Sequence, residues 1–153
     1  MKSALQEMSK KILKLDFEGE YNFILLGIIC GYKDYKLCFE LNEGLKLNFQ
    51  RKEDVNFPAG RPGSNTRHSY YESPGNDFET YHILSNKDKA GTGYFIPENR
   101  NIDFFLLITD ASGSYDLKTL IADIRRLDIV SGVYEMDPYE LKSADSFLIF
   151  LES

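Results

Sequence analysis

Apolar and polar positions along the chain predict a regular succession of strands and helices. Residues 11–17 alternate between apolar and polar side chains, which is typical of a half-buried strand, and the apolar run over 23–30 fits a central strand. A helical spacing of leucines follows, and we expect this first helix to begin at Asp34 as its N-cap. Gly44 lies where a left-handed cap would end it. Alternation over 45–50 then predicts another strand.

The middle of the chain is rich in residues that favour turns. Proline, glycine, serine and asparagine cluster over 57–66, where we expect a mobile loop. Three short strands are predicted next, at 67–72, 78–85 and 92–96. Hairpin turns at 74–77 and 86–91 are predicted to join them.

The last third of the chain carries the clearest pattern. An apolar strand is predicted over 102–109, followed by a turn over 110–114. Apolar side chains then recur at helical spacing from Leu117 to Leu127, and a second strand is predicted over 129–136. This is a strand–helix–strand unit, and the region from 23 to 50 forms another.

Two such units predict an α+β fold of the ferredoxin-like, split βαβ type, with the short strands as an inserted β-meander. We expect a mostly antiparallel sheet with two helices on one face and right-handed crossovers. The length of 153 residues favours a single domain over 1–153, with 1–10 as a frayed lead-in.

Charge and composition exclude several classes of function. A net charge of −6 argues against nucleic acid as a partner, and the basic run near Lys10 is short. Residues 1–15 lack the apolar core of a signal peptide, and the run over 23–30 is far shorter than the ~20 residues of a membrane span. We therefore expect a cytoplasmic protein without membrane contact.

The residues that usually carry chemistry are few. Cys30 and Cys38 form no C-x-x-C pair and are predicted to be buried, and His68 and His82 stand on separate predicted strands. The close ligand spacing of a zinc site is missing, so we predict neither a metal nor a cofactor.

Two glycine- or carboxylate-containing turns are candidate sites. Gly113 and Ser114 lie between a strand and a helix, where backbone N–H groups could bind an anion, although a plain turn is the favoured interpretation. Pro97 cannot donate to a strand ladder, and Glu98 and Asp103 bracket the connection that follows it. Paired carboxylates can perform acid–base chemistry or bind ligands, but we favour hydrogen bonds to backbone N–H groups of the turn.

The same segment carries a motif. Ile96-Pro97-Glu98, three residues, and Ile102-Asp103-Phe104 resemble the signature of the IPExxxVDY proteins, an uncharacterised bacterial family. Phe104 stands where the motif has tyrosine, which removes a hydroxyl group. The resemblance covers roughly residues 11–145 and implies a short cytoplasmic protein with no established activity.

Two functional hypotheses remain open. The first is a non-enzymatic binding or protein–protein interaction module with an unidentified protein partner, and the open sheet also predicts a homodimer. The alternative is a small-ligand or nucleotide-binding protein, or a minor enzyme, that uses Glu98, Asp103 and the 111–114 turn. A closed polar pocket near Glu98 would favour the alternative, whereas a flat apolar patch or a sheet edge would favour the module.

Overall fold

The computed structural model describes residues 21–58 and 65–152. Within these ranges, strands and α-helices follow one another in the order β1 Phe23–Cys30, α1 Asp34–Leu45, β2 Gln50–Arg51, β3 Val55–Pro58, β4 Asn65–His68, β5 Tyr70–Pro74, β6 Thr80–Ser85, β7 Phe104–Thr109, α2 Leu117–Arg125, β8 Val130–Met136 and α3 Asp145–Glu152. Short 3-10 turns occupy Pro97–Asn99 and Pro138–Glu140.

Three predictions concern residues outside these ranges. They are the lead-in over 1–10, the strand over 11–17 and residues 59–64 of the loop predicted over 57–66. Both ends of the predicted loop are strand residues in the structure, since Phe57 of β3 pairs with Thr66 of β4.

The main sheet has six strands in the order β2-β5-β6-β7-β1-β8, and every neighbouring pair is antiparallel. The predicted α+β class with a mostly antiparallel sheet is therefore confirmed. The apolar run of β1 lies between β7 and β8, with Leu26 opposite Leu106 and Ile28 opposite Val133. A central position explains why this strand lacks polar positions, because both of its faces are covered.

The two faces of the sheet carry separate apolar cores. Alternation along β1 and β7 places Leu26 and Leu106 on the face covered by α1 and α2, as the helical stripes predicted. Leu25 and Leu107 point to the opposite face, where Phe147 of α3 packs with the segment over 95–102. Two helices therefore cover one face of the sheet, as predicted, and a third covers the other. This third helix, α3, was not predicted from the sequence.

The ends of α1 differ from the prediction by a residue or two. Lys33 is the N-cap and Asp34 lies in the first turn, where its carboxylate accepts from the N–H of Tyr35 at 2.8 Å. The left-handed cap falls on Lys46, with φ of 58°, whereas Gly44 is still helical.

Three predicted strands are shortened, divided or absent. Most of 45–50 is not strand, because the Asn42 side chain binds the backbone N–H and carbonyl of Phe49 in place of a ladder. The strand predicted over 67–72 is divided between β4 and β5, which belong to different sheets. The strand predicted over 92–96 reduces to one isolated bridge between Lys87 and Tyr94.

Candidate functional site

A buried asparagine holds the motif segment over 95–103 against the sheet. Asn86 is fully buried, and its side-chain amide donates to the carbonyls of Asn99 at 2.8 Å and Ile102 at 2.9 Å. Its side-chain oxygen accepts from the N–H of Ile96 at 2.8 Å. The backbone of Asn86 forms two further hydrogen bonds to the segment, with Phe95 and Asp103. A side chain therefore replaces the missing strand ladder and gives the motif its shape.

Glu98 fastens the 3-10 turn of the motif to the start of α3. Its two carboxylate oxygens accept from the backbone N–H and the hydroxyl of Ser143, both at 2.8 Å. Burial by itself would raise the pKa of Glu98, but the hydrogen bonds from Ser143 and nearby backbone outweigh it and hold that pKa below its ordinary value. The N–H partner belongs to a distant segment and not to the turn after Pro97, where we expected it.

Asp103 extends the pairing between β1 and β7 beyond the last strand residues. Its carboxylate accepts from the N–H of Cys30 at 2.8 Å, and its own N–H donates to the carbonyl of Ile28 at 3.0 Å. Glu98 and Asp103 thus bind different parts of the molecule, and no hydrogen-bond partner is common to both. Pro97 is exposed at the start of the 3-10 turn.

The turn before α2 ends at Asp116, whose negatively charged carboxylate lies at the N-terminus of the helix. The carboxylate of Asp116 caps α2 and accepts from the N–H and the hydroxyl of Thr119, at 3.2 and 2.7 Å. Gly113 and Ser114 are exposed in the preceding turn, and the Ser114 hydroxyl lies 3.2 Å from that of Ser112. Because the Asp116 carboxylate binds one N-terminal amide and places a negative charge there, an external anion would have to compete with it.

An open polar groove lies where β1 ends and α1 begins. Its volume is about 580 Å³, and its lining comes from 30–34, Ser69, Ser85, 87–91, Asp103 and Phe104. The ends of β1 and β6 and the start of β7 meet here, so the floor is rigid sheet and the walls are loops. Of the candidate residues from the sequence, Asp103 lines this groove, whereas Pro97, Glu98, Gly113 and Ser114 do not.

Three lysines and three aspartates line the groove. All three aspartates have structural partners, and those of Asp34 are the N–H of Tyr35 and the guanidinium of Arg51. Asp103 binds the N–H of Cys30, and Asp88 accepts from the N–H of Arg67 at 2.7 Å and the hydroxyl of Thr92 at 2.9 Å. The hydrogen bond from Arg67 is the main reason that the pKa of Asp88 lies below its ordinary value.

A cluster of basic side chains borders the groove. Arg51, Arg67 and Lys89 each form an ion pair with Asp54, at 2.9, 3.0 and 2.9 Å, and the side chain of Asp54 is only 11% exposed. Burial by itself would raise the pKa of Asp54, but the hydrogen bonds from Lys89 and Arg67 lower it overall. Lys89 belongs both to this cluster and to the groove lining.

Nucleophile chemistry is poorly supported in the groove. The Cys30 thiol is buried, and burial, with a smaller effect of Asp103, raises its pKa, which keeps it protonated and weakly nucleophilic. Neither histidine lines the groove. The ring nitrogens of His68 bind Ser85 and Thr66, and those of His82 bind Tyr70 and Thr109, all at 2.8–3.0 Å.

Within the described residues, no group of His, Cys, Asp and Glu side chains has the arrangement of a metal site, and no helix is long and apolar enough to cross a membrane. Comparison of the chain with protein-family models, with curated proteins and with solved structures yields no match. The resemblance to the IPExxxVDY proteins therefore rests on the sequence alone.

Sequence reasoning singled out Asp103 but missed the residues around it. The groove lysines are single charges in turns, with no spacing that distinguishes them from solvated surface residues. Asn86 stood in a segment interpreted as a hairpin turn. Asparagine is common in turns because its side chain binds the backbone of the turn itself, so its presence there indicated no longer-range role. Only the meeting of three strand ends reveals that these turns share one groove.

Proposed function

We propose that the protein is a non-enzymatic binding module and that the groove at the β1–α1 junction is its binding surface. The groove volume of about 580 Å³ carries this proposal, because it lies within the range of ligand sites, roughly 300–1,000 Å³. Convergent polar groups on a rigid sheet end suit a small polar ligand. The small-ligand hypothesis called for a closed polar pocket near Glu98. The groove is polar, but it is open, and it is lined by Asp103 and not by Glu98.

Binding is a better interpretation than catalysis because the reactive groups of the groove serve other roles. Asp103 and Asp88 bind backbone N–H groups, and the Cys30 thiol has a raised pKa. A general base must reach a substrate proton, and a nucleophile needs a neighbouring base. The histidines that could supply one are buried elsewhere with both ring nitrogens occupied.

The same proposal extends to the fold type and the family. The strand order β8-β1-β7-β6, with α1 after β1 and α2 after β7, supports a split βαβ, ferredoxin-like sandwich to which β5 and β2 are added at one edge. The motif supports membership of the IPExxxVDY family through Ile96 and Ile102, which are buried and bound by Asn86. Phe104 is also buried, so a phenol at this position would need a partner there.

One observation favours a protein partner as a second candidate. Tyr32, Tyr35 and Phe39 lie on or next to the first turns of α1 and are 55%, 65% and 56% exposed. Exposed aromatic side chains in a row are typical of protein contacts. Tyr32 also lines the groove, so this aromatic stripe and the groove form one continuous surface.

The chain contains no tryptophan, which allows a single introduced indole to report on one site. Ala90→Trp places it on the exposed rim of the groove, and Ser114→Trp places it on the exposed turn before α2 as a matched control. Both variants should first show the circular dichroism spectrum and melting temperature of the parent. We expect a subset of a library of small polar compounds to change the emission of Ala90→Trp but not that of Ser114→Trp. Compounds that change both equally, or none that change Ala90→Trp, would refute the groove as the binding surface.

A further inference from the structure

We infer that the ligand of the groove carries a phosphate group, bound by Lys33, Lys87 and Lys89. This inference rests on the proposed binding function and names the chemistry of its ligand. The three lysines come from separate places in the sequence, the residue before α1 and the turn after β6, and they meet on one groove. Each ammonium group supplies donors for phosphate oxygens.

The local charge balance favours an anion. Across the groove and its bordering cluster there are five cations and four carboxylates, in a chain whose net charge is −6. The carboxylates are engaged with other groups. Asp88 and Asp103 accept backbone N–H bonds, and Asp34 accepts from Tyr35 and faces Arg51 at 3.6 Å. Their oxygens are thus directed at these groups, whereas no ion pair joins them to Lys33 or Lys87 among the described residues.

Lys89 is held in position by the neighbouring cluster. Its ammonium lies 2.9 Å from Asp54, which also binds Arg51 and Arg67. Three cations around one carboxylate repel one another, and a second anion beside Lys89 and Arg67 would relieve that repulsion. A cluster of this kind, with arginine and lysine already oriented, is the arrangement that recognises phosphate groups.

The start of α1 adds a smaller contribution. Residues 31–34 line the groove at the start of this helix of 12 residues, where the N-cap Lys33 forms no side-chain capping bond and the carboxylate of Asp34 accepts from the N–H of Tyr35. The helix dipole acts in the same direction as the lysines, and the Asp34 carboxylate offsets part of its effect. Tyr32, exposed at the rim, offers an aromatic face on which the base of a nucleotide could stack.

Isothermal titration calorimetry of the full chain tests the inference with five probes. Inorganic phosphate, ribose 5-phosphate and AMP carry the phosphate group, whereas adenosine and acetate do not. We expect the three phosphates to bind at least about tenfold more tightly than adenosine and acetate, a difference of about 1.4 kcal/mol. AMP binding more tightly than ribose 5-phosphate would identify a nucleotide, and equal affinities would identify the phosphate as the recognised group.

Two lysine variants and a matched control complete the design. Lys33→Gln and Lys87→Gln should each weaken phosphate binding several-fold, and the double variant should weaken it by about tenfold or more. Lys118→Gln removes an exposed lysine on α2, near the other end of the sheet, and should leave binding unchanged. Affinity should also rise between pH 5 and 7, because the second ionisation of a phosphate monoester has a pKa of about 6.

Equal loss in Lys118→Gln and the groove variants, or binding of acetate as strong as that of phosphate, would overturn the inference. If Ala90→Trp detects only uncharged compounds and no phosphate binds, the inference fails while the proposed binding function stands. If no compound changes Ala90→Trp and no phosphate binds, both fail.

Discussion

The hydrogen bonds of Asn86 predict that this one side chain is essential to the stability of the fold. Asn86→Ala would remove the partners of three backbone groups, the N–H of Ile96 and the carbonyls of Asn99 and Ile102. An unsatisfied buried polar group costs about 1–3 kcal/mol, and water entering the cavity would recover part of this. We therefore expect a loss of roughly 3–6 kcal/mol, a large part of the ~5–15 kcal/mol that stabilises a typical domain.

Urea unfolding followed by circular dichroism measures this loss directly. The midpoint should fall with an unchanged slope, and the melting temperature should fall by on the order of 10 °C or more. Asn86→Asp should be no better than alanine, because it keeps the acceptor for Ile96 but replaces the NH2 donor with a second acceptor oxygen that faces two carbonyls. Asn101→Ala, an exposed asparagine of the same segment, is the control and should stay within about 0.5 kcal/mol of the parent. A melting temperature of Asn86→Ala close to that of the parent would refute the structural role assigned to this residue.

Three further predictions follow from other contacts. Glu98→Gln and Asp103→Asn should each lower the melting temperature by roughly 4–10 °C, since hydrogen bonds to a charged acceptor are worth ~1.5–3 kcal/mol. Calorimetric melting at or above the parent value for both would reopen them as a functional pair. Burial lowers the pKa of His68 and His82 below the unfolded value near 6.5, so both contribute stability above pH ~6.5 that is lost as pH falls through their folded pKa values. The free energy of unfolding, and with it the melting temperature, should therefore decline as pH falls below about 6.5, by at most ~1.4 kcal/mol per pH unit for each histidine, and a flat profile would contradict their burial in neutral form. Sedimentation at micromolar concentration should show a homodimer that a Tyr35→Gln, Phe39→Gln double variant dissociates, and a parent that sediments only as the 17.6 kDa chain would count against it.

The elements that the sequence predicted well are those in which the pattern and the packing agree. β1 and β7 are apolar throughout because they lie inside the sheet, and α2 shows its stripe because one face packs on Leu106 and Val133. The carboxylate of Asp116 caps the start of α2, where a negative charge also suits the helix dipole.

The elements that were missed depend on hydrogen bonds that hydrophobic periodicity does not report. Around Phe49 the Asn42 side chain takes the place of a strand partner, and at 92–96 Asn86 does the same. Burial alternates over 45–50 without a ladder, so a period of two gave the wrong structure there. α3 has only eight residues, and its apolar side chains form a short run without an extended amphipathic stripe.

The candidate site was only partly predictable for a similar reason. Asp103 was singled out by its motif, and it does lie at the groove. Lys33, Lys87 and Lys89 become a group only because β1 and β6 end where β7 begins, and that register depends on the complete sheet. Glu98 and Asp103, predicted as a pair, instead bind separate elements. Glu98 binds Ser143 just before α3, and Asp103 binds Cys30 at the end of β1.

The location of bound ligand is the most direct test of the groove as the binding surface. Two-dimensional ¹H–¹⁵N spectra of the parent chain, titrated with any compound that changes the emission of Ala90→Trp, report the site at the level of single amides. The groove predicts that the largest shifts fall in 30–34 and 87–91, whose residues line it. Shifts centred on Glu98 and Asn99, or on Gly113 and Ser114, with the groove amides unchanged would contradict the account.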